Sequence, residues 1–198
     1  MAVGTNELAE ATQTKAASVT DMLKRLAEKD LIFYKKYQGV TLTEKGNKIA
    51  LKVIRKHRLW EVFLVDKLKF KWDEIHEIAE QLEHIESIEL TERLNDFLGN
   101  PDFDPHGDPI PDINGNMPIR TIVDLCHAPI EQELRLKNVS EDSSAFLQHL
   151  NKLNIQLGCT LEILDISEFD NSVTVKVNQS EKCNLSLEVA KNLYVSLK

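Results

Sequence analysis

Six residues in the middle of the chain have the types and spacing of a metal-binding centre. His57 and Glu61 stand four apart, and His76, Glu80, Glu83 and His84 follow close behind. Residues four apart on a helix share a face. At about 100° per residue, His76, Glu80, Glu83 and His84 fall within roughly a 100° sector. Imidazoles and carboxylates without thiolate suit manganese, ferrous iron or zinc. A solvated acidic helix face gives a similar pattern. Two neighbouring helices that each carry His-x3-Glu favour a divalent-metal site. His76-Glu77-x-x-Glu80 nearly matches the metalloprotease motif His-Glu-x-x-His, but the second histidine is absent. Neither a nucleophile elbow nor a phosphate-binding glycine loop nor a Ser/His/Asp set accompanies it. A metallohydrolase is therefore the weaker alternative, and the chain is read as not an enzyme.

The elements that must position these residues can be traced outward. A helix through Gly46–Val65 carries His57 and Glu61, and a second begins near Trp72-Asp73 and carries the rest. Upstream, Asn6–Ala11 reads as a short helix, Thr12-Gln13-Thr14 breaks it, and a longer helix runs from about Lys15 to Lys29. Its Val19, Met22, Leu23 and Leu26 form one apolar stripe. Two β-branched or aromatic runs around Gly39 read as a hairpin, after which Thr43 is placed to cap the next helix. Helix, turn, polar-faced helix and basic hairpin in that order predict a winged helix-turn-helix. Lys15, Ser18 and Thr20 are placed to reach base edges. Lys24, Arg25, Lys35 and Lys36 are placed to bind phosphate.

Charge divides along the same line. The net charge of −8 is an average: residues 1–58 hold 12 Lys and Arg against 6 Asp and Glu, and the remainder holds 12 against 26. A basic segment on an acidic body fits one part that meets polyphosphate and one that meets cations. Uneven solvation alone could give the same split. No apolar run is long enough to span a membrane, and the polar start lacks the apolar core of a secretory signal. Cys126, Cys159 and Cys183 are widely spaced and odd in number, which fits a reducing cytoplasm rather than a disulfide framework.

Beyond the helices, Pro101, Pro105, Pro109 and Pro111 with Gly107 and Gly115 mark Asn100–Asn116 as a loop and a boundary. Short strands follow at about Glu133–Lys137, Thr160–Ile166, Val173–Val177 and Leu193–Leu197. A helix near Ser143–Leu153 puts Phe146, Leu150 and Leu153 on one face. Several short strands around one helix predict a small SH3-like β-barrel, so the fold class is α+β. His106, His127 and His149 are read as non-ligands.

Arg55-Lys56-His57-Arg58-Leu59 and Glu61-Val62-Phe63-Leu64 come first, then Glu74-Ile75-His76-Glu77, Ala79-Glu80 and Leu82-Glu83-His84. Gly99-Asn100-Pro101 and Pro105-His106-Gly107-Asp108-Pro109-Ile110-Pro111 follow. In this order they resemble the diphtheria-toxin-repressor (DtxR/MntR) family of bacterial metal-dependent transcriptional repressors, over nearly the whole chain. The resemblance implies a winged-helix DNA-binding domain (1–52), a helical metal-binding and dimerisation domain (53–118) and an SH3-like FeoA-type domain (119–198). It implies a cytoplasmic homodimer that grips a double-stranded DNA operator when metal-loaded and represses metal-uptake genes, with no membrane and no small-molecule substrate. An ancillary metal position maps onto His57, Glu61 and His76, and a primary one onto Glu80, Glu83 and His84. Where iron-sensing members tend to have cysteine this chain has Glu80, a harder ligand that favours Mn(II), with Fe(II) second. The family also has a further helix upstream, which donates a primary-site ligand and with which this sequence does not begin. Glu141 or Asp142 lies near where some relatives supply a ligand from the C-terminal domain, although capping the next helix is the simpler role.

Overall fold

A computed structural model describes residues 2–35 and 38–197 of the chain. It divides into two compact units, between Ile54 and Arg55.

In the first unit, α1 (Thr5–Ala11) and α2 (Ala16–Glu28) are joined by the break expected at Thr12–Thr14. The Thr12 hydroxyl donates to the Leu8 carbonyl at 2.7 Å, and Gln13 takes a left-handed φ of 49°, so α1 cannot continue. Val19 and Leu23 are buried on α2, with Leu26 partly so, but Met22 is 43% exposed. Met22 lies about 100° around the helix from Leu23, at the margin of the expected stripe. The hairpin pairs β1 (Ile32–Lys35) antiparallel with β2 (Gly39–Leu42), Ile32 opposite Leu42. Val3 bridges to Val40 and lengthens this small sheet. Val19, Leu23, Ile32 and Val40 form the core. Each such aliphatic side chain contributes about 1.5–3 kcal/mol on full burial. Thr43 caps α3 (Glu44–Asp66): its hydroxyl accepts from the Gly46 N–H at 3.0 Å.

In the second unit, the later part of α3 packs Leu59 and Val62 against Leu94 of α5 (Ile88–Phe97) and Ile110. Leu64 meets Ile75 and Ala79, the latter on α4 (His76–Glu83). The proline loop is stapled to α3 by two arginines. Arg55 makes a bidentate pair with Glu92 at 3.2 and 2.9 Å and donates to the Pro111 carbonyl at 2.8 Å. Arg58 bonds Asp108 at 3.1 Å and the Pro109 carbonyl, and stands 3.5 Å from Asp104. Such forked pairs fix geometry as well as charge.

The C-terminal part is one antiparallel sheet in the order β3-β8-β4-β5-β6-β7. Its strands are β3 (Val123–Asp124), β4 (Glu133–Val139), β5 (Thr160–Ile166), β6 (Val173–Val177), β7 (Glu181–Leu185) and β8 (Leu193–Leu197). Bulges at Leu136/Asn138 and Ile163/Asp165 bend it. Among the described residues, β3 and β7 remain the ends of the ladder rather than pairing to close a barrel. Two helices, α6 (Ser144–Lys152) and α7 (Leu187–Ala190), complete the domain. On α6, Leu147 and Leu150 are buried, while Phe146 and Leu153 pack at the margin. The core is Leu134, Leu136, Leu161, Ile163, Val173, Val175, Leu193 and Val195, and it also takes in Trp72 from the loop ahead of α4. Among the described residues, Cys126, Cys159 and Cys183 form no disulfide. Among the described residues, no helix is long and apolar enough to cross a membrane.

Candidate metal centre and nucleic-acid interface

Glu61 is the hub of the second unit. It is only 2% exposed. One turn earlier on α3, His57 brings Nε2 to 3.0 Å from Glu61 Oε1, and at the start of α4 His76 brings Nδ1 to 3.7 Å from the same oxygen. On the other side, His106 of the proline loop puts Nδ1 3.7 Å from Glu61 Oε2. The donor atoms of His57, Glu61 and His76 all lie within 4.8 Å of one another, as do those of Glu61, Asp104 and His106. Glu61 belongs to both groups.

The outer nitrogens are tied down. His57 Nδ1 is 2.7 Å from Glu83 Oε2, and His106 Nε2 is 2.9 Å from the Trp72 carbonyl. A carbonyl can only accept, so His106 donates from Nε2 and Nδ1 faces Glu61: protonated, it donates to the carboxylate, and a cation that displaces that proton would meet its lone pair. Asp142, which precedes α6, brings an oxygen to 3.9 Å from His76 Nδ1. Asp104 accepts the backbone N–H groups of His106 at 2.8 Å and Asp108 at 2.9 Å, which holds the loop in its turn.

The electrostatics are those of crowded, buried charge. Burial alone would lift the Glu61 pKa, but hydrogen bonds from His106, His57 and His76 hold its carboxyl well below the usual range. Burial and the neighbouring Glu61 charge push Asp104 up to about 7. For His106, burial opposes protonation, yet Glu61 and Asp104 raise it to about 9. Burial likewise opposes the proton on His57, and hydrogen bonds to Glu61 and Glu83 outweigh it. The Glu61 hydrogen bond raises His76. Two buried carboxylates and three imidazoles on nitrogen and oxygen donors are a set that a divalent cation fits: it balances the charge that protons balance otherwise.

Of the six residues expected to bind metal, His57, Glu61 and His76 converge, and Glu83 reaches the group by bonding His57. Glu80 and His84 are exposed and join neither group. Glu83 lies about 20° from His76 around α4, whereas Glu80 and His84 lie about 40° and 80° to the other side, turned outward. Asp104, His106 and Asp142 complete the picture. The sequence reading took His106 for a non-ligand, yet it is 2% exposed and faces Glu61. Its signal was the following Gly107, at φ 89°, where a Cβ would stand 2.0 Å from the Lys137 carbonyl oxygen. Only glycine lets the loop backbone lie that close to β4.

In the first unit, Lys15, Ser18, Lys24, Arg25 and Lys35 are exposed, and Thr20 is half-buried. The Thr20 hydroxyl donates to the Ala16 carbonyl at 2.8 Å, which leaves its lone pairs for an incoming donor. Lys24 pairs with Asp21 at 3.4 Å in full solvent, a contact worth little that yields readily to phosphate. Lys36 lies outside the described residues.

Three family profiles match the chain in succession. The iron-dependent repressor N-terminal DNA-binding domain covers residues 1–40, the iron-dependent repressor metal-binding and dimerisation domain 43–112, and the FeoA domain 123–197. The iron-dependent repressor IdeR of Mycobacterium tuberculosis is 36% identical over 104 residues, which is 52% of this chain and 45% of that protein. The matched stretch thus spans less than half of that relative. The diphtheria toxin repressor of Corynebacterium jeikeium is 25% identical over 160 residues, 80% of this chain and 66% of its own length. Among solved structures, a manganese-dependent transcriptional repressor in complex with manganese superposes with a TM-score of 0.90 at 32% identity, covering 100% of this chain and 92% of that one.

Proposed function

The chain belongs to the iron-dependent (DtxR/MntR) repressor family, and from that premise we propose that it is a manganese-responsive DNA-binding repressor of metal-uptake genes. The observation that carries the reading is Glu61, a buried carboxylate ringed by His57, His76 and His106. His57, Glu61 and His76 would hold one divalent ion, with Asp142 beside them. Glu61, Asp104 and His106 offer a second seat against the same carboxylate. The ion supplies charge and a fixed coordination geometry. The hard oxygen donors, with no thiolate among them, favour Mn(II) over softer metals, with Fe(II) second. The likeness to a manganese-bound repressor supports the same order. Glu80, Glu83 and His84 are kept as the family's primary position, although Glu83 here orients His57.

The proposed three-part division falls at about residues 52 and 118. Ile88 and Phe97, at the two ends of α5, are 70% and 61% exposed, apolar side chains that a homodimer in the cytoplasm would cover. Two winged helices would then read a roughly palindromic double-stranded operator. Lys15, Ser18 and Thr20 would meet base edges, and Lys24, Arg25, Lys35 and Lys36 would meet phosphate. Metal and DNA favour the same conformation, so each tightens the other. A hydrolase reading gains nothing from the fold, because Glu77 is exposed and outside both donor groups.

The test is fluorescence anisotropy at fixed salt on a palindromic operator from a metal-transporter promoter, with chelator, Mn(II), Fe(II) and Zn(II) in parallel. Tight binding only with Mn(II) is expected. Equal binding in chelator would sink the reading, and tight binding only with Fe(II) would reassign the metal.

A further inference from the structure

We propose that Trp72 is a positioning residue of the metal centre, which ties the occupancy of Glu61 to the seating of the C-terminal domain. The inference rests on the metal reading above. Trp72 stands in the loop between α3 and α4 and acts at both ends. Its main-chain carbonyl accepts from His106 Nε2 at 2.9 Å, so it sets which nitrogen of that imidazole faces Glu61. Its indole Nε1 donates to Asn151 Oδ1 on α6 at 2.8 Å, and the ring is packed into the core of the C-terminal sheet. The indole and the His106 imidazole lie nearly parallel, with ring centres 6.0 Å apart.

His106 is held on its other side as well. Its carbonyl accepts from the Val139 N–H at 2.9 Å and from Asn138 Nδ2 at 3.3 Å, both on β4. A shift of the imidazole toward a metal at Glu61 therefore pulls on Trp72 and β4 together. The joint has room to respond: a cleft of about 640 Å³ opens beside it, lined by Val62, Trp72, Phe103, Asn151 and Leu157. Asn151 also donates to Asp73 at 3.3 Å, and Ser144 donates to the Asp73 carbonyl at 2.9 Å, so α6 grips the loop at more than one point.

Trp60→Phe leaves Trp72 as the single tryptophan. In that variant, bound Mn(II) is counted from the electron-paramagnetic-resonance signal of the free ion. Trp72 emission is followed with Cd(II), a diamagnetic ion that does not quench by paramagnetism. The emission is expected to shift with saturation of the site, and the shift is expected to vanish in Glu61→Gln. Asn151→Ala, which touches no donor of the metal groups, is expected to weaken Mn(II) about tenfold, as loss of an outer-shell partner does. Metal uptake with unmoved Trp72 emission overturns the coupling and leaves the metal site standing, even if Asn151→Ala fails to fold. A folded Asn151→Ala with Mn(II) affinity within twofold of its parent also overturns it. No uptake of either ion overturns both readings.

Discussion

Replacing Glu61 by Gln removes one negative charge and almost no volume from the hub of the site. The molecule supplies its own gauge of what that charge is worth. His106 Nδ1 lies 3.7 Å from Glu61, and its pKa stands at about 9 rather than 6.5, although burial pulls the other way. Glu61 foremost, with Asp104 and the Trp72 carbonyl, thus holds a single positive charge by at least about 3 kcal/mol, at 1.36 kcal/mol per unit. A divalent ion at similar range feels up to twice that, before the cost of shedding its water. A loss near 3 kcal/mol is therefore the conservative expectation, roughly a hundredfold in Mn(II) affinity. Competition between the protein and a chelator of known affinity measures it, with circular dichroism to show that the fold persists. Metal-dependent DNA binding should shift to correspondingly higher Mn(II). A folded Glu61→Gln protein that binds Mn(II) within threefold of its parent would refute the reasoning, because among the described residues no other buried carboxylate faces all three histidines.

Other outcomes are equally open to measurement. In chelator, His106 binds its proton more tightly folded than unfolded, so its stabilisation is complete below pH 6.5 and lost as the pH rises toward 9. Urea unfolding at the two pH values should differ by up to about 3 kcal/mol in parent protein and far less in His106→Gln; a parent more stable at pH 9 contradicts the sign. Gly107→Ala must force a Cβ against the Lys137 carbonyl at a left-handed φ. It should cost about 3 kcal/mol, on the order of 10 °C in Tm by calorimetry, and an unchanged Tm would show that the loop yields freely. Arg25→Ala should weaken operator binding across sequences and flatten the salt dependence by about one unit of slope; an unchanged slope would remove Arg25 from the interface.

Local pattern carried much of this architecture. The broken helix pair, the hairpin at Gly39, the Thr43 cap and strands β5, β6 and β8 could all be read from spacing and residue type. Met22 could not, because a stripe chosen by hydrophobicity does not say where its margin falls. Nor could β3, only two residues long, or β7, whose Glu-Lys-Cys-Asn-Leu lacks β-branched residues. The site divides in the same way. His57, Glu61 and His76 sit on helices whose periodicity announces a shared face. Asp104, His106 and Asp142 come from loops far along the chain, and only the close approach of Gly107 to β4 brings the first two to Glu61. Helical spacing also set Glu80 and His84 beside His76, and it took the crossing of α3 and α4 to decide that Glu83 faces inward.

The last strand, β8, lies between β3 and β4, inside the sheet rather than at its edge. Leu193 and Val195 on it are completely buried. During synthesis the preceding strands must therefore wait for residues 193–197 to leave the ribosome before the interior of the sheet can close. Its pairings join residues far apart in sequence, which slows folding and leaves β4 as an unpaired, aggregation-prone edge in the meantime. A nascent chain that stalls ahead of Leu193 presents that edge to chaperones and proteases, with its helical segments already made. The cell's supply of working molecules is thereby tied to the completion of five residues that carry none of the metal or DNA roles proposed above.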